Sequence, residues 1–255
     1  NIFFVTVDSL RADRCFSENR SAKTPNLDSL IKKGIYFSQA ISAADQTGAS
    51  LSSVFSGIFP IRTGKNQITF KSDTKTYFDI LKNSNYHTYA LVPDIAFFKE
   101  STTNFDDKII YAFENIKARQ HLGDDLGNKI IAKLKSKEMK EPWIYYIHLM
   151  DIHTPFTVPN EFDKQENGET KYDRLVSLVD VWLGRFLNEI NMENTKIVIS
   201  ADHGEYIPAT DESVSEIPNV QRLLTKGQTS ISFIEKMRMK TLLNLRFAAQ
   251  TYRKE

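Results

Sequence analysis

Near the start of the chain, Ile2-Phe3-Phe4-Val5-Thr6-Val7 is a run of apolar and β-branched residues with no alternating polar face. It is too short for a helix, so it reads as a strand buried on both sides. Such strands belong to parallel sheets, whose neighbours are joined by crossover helices. Residues 87–92, 143–149 and 195–200 supply further strands of this kind. Helical patterns fall between them. Thr24 caps a helix that has Pro25 at its first position and closes at Gly34. Another opens at Asp45-Gln46-Thr47-Gly48 and ends at Gly57, and a third covers residues 77–83. Residues 124–137 read as an exposed helix. Residues 172–190 form a long amphipathic one, with Leu175, Leu178, Val179, Leu183, Phe186 and Leu187 on its apolar side. A further strand is expected at residues 36–41. Strands alternating with helices indicate an α/β fold with a mostly parallel sheet covered on both faces.

The 255 residues suit one large domain, or one domain with an appendage. No apolar run approaches the roughly 20 residues of a membrane span. A single cysteine, Cys15, excludes an internal disulfide framework. The net charge of +1 argues against a broadly basic nucleic-acid binder, but residues 220–255 hold eight Lys/Arg against two Glu. We therefore divide the chain into residues 1–205, a catalytic domain, and residues 206–255, a loop plus a basic helical tail. In that tail Ile234, Met237, Leu242, Leu245 and Phe247 stand among basic residues, a pattern of a peripheral helix that also suits contact with an anionic membrane surface. The chain starts at Asn1 inside a strand-like run and stops without a helix terminator, so it reads as a truncated fragment, and no compartment can be assigned.

Two of the buried strands run into acidic residues: Val7-Asp8, and Ser200-Ala201-Asp202-His203. Open α/β sheets bind ligands beyond the carboxyl ends of their strands, where these side chains would converge. Carboxylates with one imidazole suit a divalent cation of the Mn, Zn, Mg or Ca group. Such a cation polarises an ester oxygen and activates a bound nucleophile. Thr47, at a helix start, is a candidate for that nucleophile and for a metal ligand, and the amides near Gly48 and Ala49 would help to hold an anion. The segment His148-Leu149-Met150-Asp151-Ile152-His153-Thr154-Pro155-Phe156 follows another buried strand. His153 is a candidate to protonate a leaving group, and His148 a supporting, substrate-binding residue. Arg11 and Lys65 are candidate anion contacts. Each also has a plainer reading: Asp8 as a loop residue, Thr47 as a helix cap, His153 as structural, Arg11 and Lys65 as solvated charges, Cys15 as a passive small residue.

Taken together these stretches resemble the sulfatase-like branch of the alkaline phosphatase superfamily. The matching stretches are residues 1–13, 24–34, 49–60 with Arg62-Thr63-Gly64, 148–156, the helix near 172–187, and Ser200-Ala201-Asp202-His203-Gly204-Glu205. The resemblance implies a three-layer α/β/α sandwich. It also implies Asp8, Asp202 and His203 as metal ligands, and a nucleophile at the start of the helix leading to Gly57. True sulfatases place there a cysteine or serine that matures to formylglycine, with a proline two residues on and an arginine four residues on. Here those positions hold Thr47, Ala49 and Leu51, and Ser9 stands where many sulfatases have a second metal-binding aspartate. A threonine is similar to the phosphoglycerol and phosphoethanolamine transferases of the same superfamily. The expected activity is therefore that of a sulfatase-family hydrolase or phosphotransferase acting on sulfuric or phosphoric esters through a Thr47 covalent intermediate. The cofactor is one divalent metal, Mn, Zn or Ca, with Mn or Zn favoured and formylglycine disfavoured. The partner is an anionic ester on a glycan or a lipid-linked headgroup. The alternatives are direct attack by metal-bound water and a non-catalytic binding protein that keeps the fold.

Overall fold

The computed structural model describes residues 1–59, 75–136 and 138–205. The expectations for Lys65, for Arg62-Thr63-Gly64 and for residues 206–255 lie outside the described residues. Five strands form one all-parallel sheet: β1 (Ile2–Val7), β2 (His87–Pro93), β3 (Asp107–Tyr111), β4 (Trp143–Leu149) and β5 (Lys196–Ala201), in the order β3-β2-β4-β1-β5. The helices are α1 (Ala12–Phe16), α2 (Pro25–Lys33), α3 (Thr47–Ser56), α4 (Tyr77–Asn83), α5 (Ala96–Ser101), α6 (Gly127–Lys135) and α7 (Lys171–Leu187). Among the described residues no helix is long and apolar enough to cross a membrane.

The two-residue period of a strand divides the layers. On one face Phe4, Ala90, Val92, Ile144 and Tyr146 pack with Leu51 and Phe55 of α3, Phe78 of α4, and Phe97 and Phe98 of α5. Phe55 contacts Phe78, Phe97 and Tyr146 with ring centroids 5.0–5.8 Å apart, mostly edge to face, the geometry aromatic quadrupoles favour. On the other face Phe3 meets Phe186 of α7 at 6.4 Å, and α2 lies against α7. Helix α2 is not capped by its own Thr24, whose hydroxyl donates to the Cys15 carbonyl. Asp180 of α7 takes the Asn26 and Leu27 amides instead, at 3.1 and 2.8 Å, so the orphan donors of one helix are satisfied by the next.

Three features differ from the sequence expectation. Residues 36–41 form no strand: Ile35, Phe37 and Ile41 are exposed, and β propensity builds no ladder without a strand edge to pair with. The segment expected as an exposed helix begins as a wide turn at Leu122–Leu126 and continues as α6, with Leu122, Leu126 and Ile130 fully buried. Their four-residue spacing is an apolar stripe that the surrounding charges obscure. The structure also adds α1, α5 and β3, three elements too short to stand out from sequence.

Gly127 begins α6 against the ring of Trp182; a Cβ there would sit 2.3 Å from Trp182 Cζ3. Alanine would gain about 0.8–1 kcal/mol of helix propensity, but overpacking a closed core costs about 1–3 kcal/mol. Since the ring is itself buried in the core, packing wins. Gly127→Ala is expected to lower the urea midpoint with an unchanged m-value.

Candidate active site

Parallel pairing places Val7 opposite Ala201 and Thr6 opposite both His148 and Ser200. The residues that follow, Asp8 and Asp202, thus leave adjacent strands side by side. Alternation puts Asp8, His148 and Asp202 on the face that carries α3, as continuations of the rows Phe4-Thr6 and Tyr146. All three are essentially inaccessible to solvent. One donor atom from each lies within 4.8 Å of the others.

The two carboxylates are held differently. Asp8 accepts from Ser9 Oγ at 2.7 Å and Thr47 Oγ1 at 2.9 Å, and its Oδ2 lies 3.3 Å from His148 Nε2. Burial opposes its charge, but the His148 hydrogen bond, the charges of His148 and His153, and the Ser9 hydroxyl outweigh it, holding the carboxyl well below the usual range. Asp202 Oδ1 accepts the Ser9 and His203 amides at 3.0 and 2.7 Å. Its Oδ2 is buried with no hydrogen-bond partner. Burial and then the Asp8 charge raise its carboxyl above the ordinary value. Two buried carboxylates this close do not both ionise readily, and the one with more donors keeps the charge.

Thr47 is the first residue of α3; the cap position is Gln46, and Thr47 makes no capping bond. Its hydroxyl sits between Asp8 Oδ2 and His203 Nε2, 3.2 Å away. His203 Nδ1 lies 3.0 Å from the Gly204 carbonyl, to which it donates, leaving Nε2 with a free lone pair. Burial lowers the His203 pKa, but the Asp202 charge and the Gly204 carbonyl outweigh it, so the net shift is upward. The amides of Gly48 and Ala49, in the first turn of α3, have no intrahelical acceptor.

The other expected residues divide. His153 is partly buried; its Nδ1 donates to Thr154 O at 2.6 Å and its ring meets Phe113 edge-on at 5.4 Å, so Nε2 is its open nitrogen. His148 is fully buried behind Asp8, against Phe98 of α5 at 4.4 Å. The structure sets it among the metal-competent atoms, where the sequence reading had a substrate contact. Arg11 is bound by Asp13 through Nε and Nη2 at 2.9 and 2.8 Å and donates to Glu205 O, so the anion contact expected of it meets a carboxylate already in place.

Several supporting contacts were not expected from sequence, which marked Ser9 only as the residue in place of a second metal-binding aspartate and did not mark Ser50 or Tyr172 as site residues. Ser9, in a left-handed conformation at φ 61°, touches both carboxylates through its hydroxyl and its amide. Backbone strain of this kind persists only where its surroundings enforce it. Tyr172 of α7 enforces it here, donating to Ser9 O at 2.7 Å and accepting the Arg11 amide at 2.8 Å. Ser50, one turn after Thr47, donates to the Asp202 carbonyl at 2.6 Å and so ties α3 to the second carboxylate. Positive φ at a non-glycine and a hydroxyl–carbonyl contact across 152 residues leave no local sequence signal.

This donor set fits a divalent cation. It offers two carboxylates, a hydroxyl and imidazole nitrogen, and the buried Asp202 Oδ2, without a hydrogen bond and with only His203 Nε2 beside it at 3.5 Å, is the kind of atom a bound ion satisfies. Asp202's raised pKa means that, without metal, the folded state holds this proton more tightly than the unfolded chain. The group's contribution to stability therefore falls as pH rises through the carboxylate range. In Asp202→Asn the amide oxygen keeps both backbone donors and the amide nitrogen faces Asp8. Thermal unfolding at pH 7 is expected to show the metal-free variant more stable than wild type, yet unresponsive to Zn or Mn. Wild type should gain about 2.7 kcal/mol at a metal concentration of about 100 times Kd.

The Sulfatase family model matches residues 1–231. A curated relative from Haemophilus influenzae, described as an uncharacterized protein, is 25% identical over 212 residues, which is 80% of this chain and 31% of the relative. A protein in the alkaline phosphatase superfamily from Vibrio parahaemolyticus aligns with a TM-score of 0.63 at 22% identity, over 82% of this chain and 56% of its own. The zinc complex of the C-terminal periplasmic domain of EcEptC from Escherichia coli aligns at 0.59 and 14% identity, over 82% of this chain and 65% of its own. The chain thus spans about a third of its curated relative and over half of these solved chains. With strand-end carboxylates, the Thr47 helix and the Asp202-His203 pair assembled on one all-parallel sheet, and the family model spanning nearly its whole length, the chain belongs to the sulfatase family, on the fold of the alkaline phosphatase superfamily.

Proposed function

We propose that this chain carries the catalytic centre of a metal-dependent enzyme that cleaves or transfers phosphate or sulfate esters through Thr47, with phosphoryl transfer favoured. One observation carries the reading. The Thr47 hydroxyl, at the start of α3, already has a carboxylate oxygen at 2.9 Å and an imidazole nitrogen at 3.2 Å. Its proton can leave along an existing hydrogen bond as the bond from Oγ1 to phosphorus forms and the ester's bond to its leaving group breaks. The α3 amides face the charge that develops on the transferred group. His153 Nε2 gives a proton to the departing oxygen, then takes one from the water or acceptor alcohol that resolves the phosphothreonine. Asp8, Asp202, His203 and Thr47 would hold the divalent cation, Mn or Zn in preference to Ca, with His148 orienting Asp8 or adding a further nitrogen. Bound there, the ion supplies Lewis-acid polarisation of a non-bridging ester oxygen.

The preference for phosphate rests on α3 and Cys15. Threonine cannot become formylglycine. Leu51, at the position of the sulfatase arginine, is fully buried in the aromatic core, so α3 turns that position away from the site. Cys15 is buried too, its thiol pushed up to about 12 chiefly by desolvation. The substrate class this supports is an anionic ester on a glycan or a lipid-linked headgroup.

The test is turnover of aryl phosphate mono- and diesters and of aryl sulfate by the full-length protein with Mn or Zn, alongside intact-mass analysis of trapped enzyme. Wild type is expected to turn over a phosphoester and to show a phosphoryl adduct on Thr47. Thr47→Ala should lose the adduct and about 10³-fold or more in kcat, whereas Thr47→Ser keeps a measurable rate. Slow turnover persisting in Thr47→Ala, with no adduct in wild type, would mean direct attack by water. Turnover of sulfate esters alone would overturn the phosphoryl preference, and a metal-free, inert full-length protein would identify a binding module.

A further inference from the structure

We infer that Arg119, seated on the Phe113 ring beside His153, is a second anion subsite, and that the substrate carries a further negative group (phosphate, sulfate or carboxylate) on its leaving-group side. The inference rests on the proposed role of His153. Arg119 and His153 share two supports. Both donate to the Thr154 carbonyl, Arg119 Nη1 at 3.1 Å and His153 Nδ1 at 2.6 Å. Both also lie on Phe113, with the Arg119 guanidinium 4.0 Å above the ring centroid and the His153 ring edge-on. The cation is therefore next to the nitrogen heterocycle placed at the leaving group.

The loop that carries Arg119 is built firmly. Gln120 pairs with Ala112 through its own amide and through its side chain, at 2.9 and 3.2 Å, closing residues 112–120 into a ring. Asp94, just after β2, takes the Phe113 and Glu114 amides on one oxygen at 2.9 and 2.8 Å, which fixes the aromatic platform. The guanidinium spends Nε on the Phe113 carbonyl and one Nη1 proton on Thr154. Of its five N–H donors three remain without an acceptor among the described residues. No carboxylate of the described residues pairs with it, although burial already disfavours its charge. Every other arginine in the described residues either meets a carboxylate or, like Arg185 on Trp182, lies on an aromatic face away from this site. A partly desolvated fork with free donors and no counter-charge is complementary to a planar or tetrahedral oxyanion.

The test is calorimetric titration of the zinc-loaded full-length protein with methylphosphonate and with alkane bisphosphonates of two to six carbons. Methylphosphonate reports the metal-centred site alone; the bisphosphonate advantage reports Arg119. At least one bisphosphonate is expected to bind about tenfold or more tightly than methylphosphonate. Arg119→Ala should erase that advantage and leave methylphosphonate within about threefold, while Arg119→Lys keeps part of it because a lysine retains charge without the fork. Equal weakening of both probes in Arg119→Ala would show a staple that only supports His153 and would overturn the subsite. So would a wild-type protein indifferent to the second phosphonate. If methylphosphonate shows no zinc-dependent binding, the ester-site reading itself fails and the subsite falls with it.

Discussion

Asp8 and Asp202 are two carboxylates buried side by side, and the rest of the site is arranged around that unfavourable pair. Their strands are adjacent and parallel, so nothing short of breaking the β1–β5 ladder could separate them. Like charges in a low-dielectric environment repel strongly, and two fully ionised groups there would be untenable without compensation. The surroundings compensate unequally: hydroxyls and imidazole gather on Asp8, whereas Asp202 receives two amides on one oxygen and on the other has no hydrogen bond, only His203 Nε2 at 3.5 Å. The asymmetry leaves the negative charge on Asp8 and the proton on Asp202. Ser9, Ser50 and Tyr172 make sense as devices that prevent the pair from relaxing apart.

The position of Thr47 follows from how the core on the same face of the sheet is packed. Helix α3 is anchored by Leu51 and Phe55 in an aromatic cluster with α4, α5 and the sheet, which sets its axis and depth. Its first residue then has one place to go, at the strand ends, and Thr47 arrives between Asp8 and His203. The hydroxyl of Ser50 locks the same helix to the Asp202 backbone one turn later. Burial of a few large rings thus positions a polar atom to within hydrogen-bond distance, a precision that a loop-borne residue would lack.

On the far side of the site the supports are polar. Asp151, fully buried and pushed up to about 6 mainly by desolvation, accepts the Leu122 amide at 2.8 Å and faces His121. That bond joins the segment after β4, which bears His153, to the segment before α6. The Arg119 loop is closed by Gln120 between them. His153 and Arg119 therefore share one small framework of hydrogen bonds, which reaches the carboxylate pair through the charge of His153 on Asp8.

Much of this was legible in the order of residues, because hydrophobic period and strand-end chemistry are local properties. Unalternating apolar runs announced the parallel strands, buried in β1, β2 and β4, although β5, expected to be buried as well, lies at the sheet edge among the described residues with Val198 exposed. Asp8, Thr47, Asp202 and His203 stood at element ends where such folds place ligands. The same local view misled at residues 36–41, where β propensity had no edge to pair with, and at α6, where charged neighbours hid the Leu122-Leu126-Ile130 stripe. By itself the sequence determined the layers and the list of reactive side chains. Only the tertiary structure decided that His148 backs Asp8, that Ser9 bridges two carboxylates, that Asp180 caps another helix and that Arg119 shares a carbonyl with His153. Those relations depend on register and packing between segments more than a hundred residues apart in most cases, and no periodicity within a single segment encodes them.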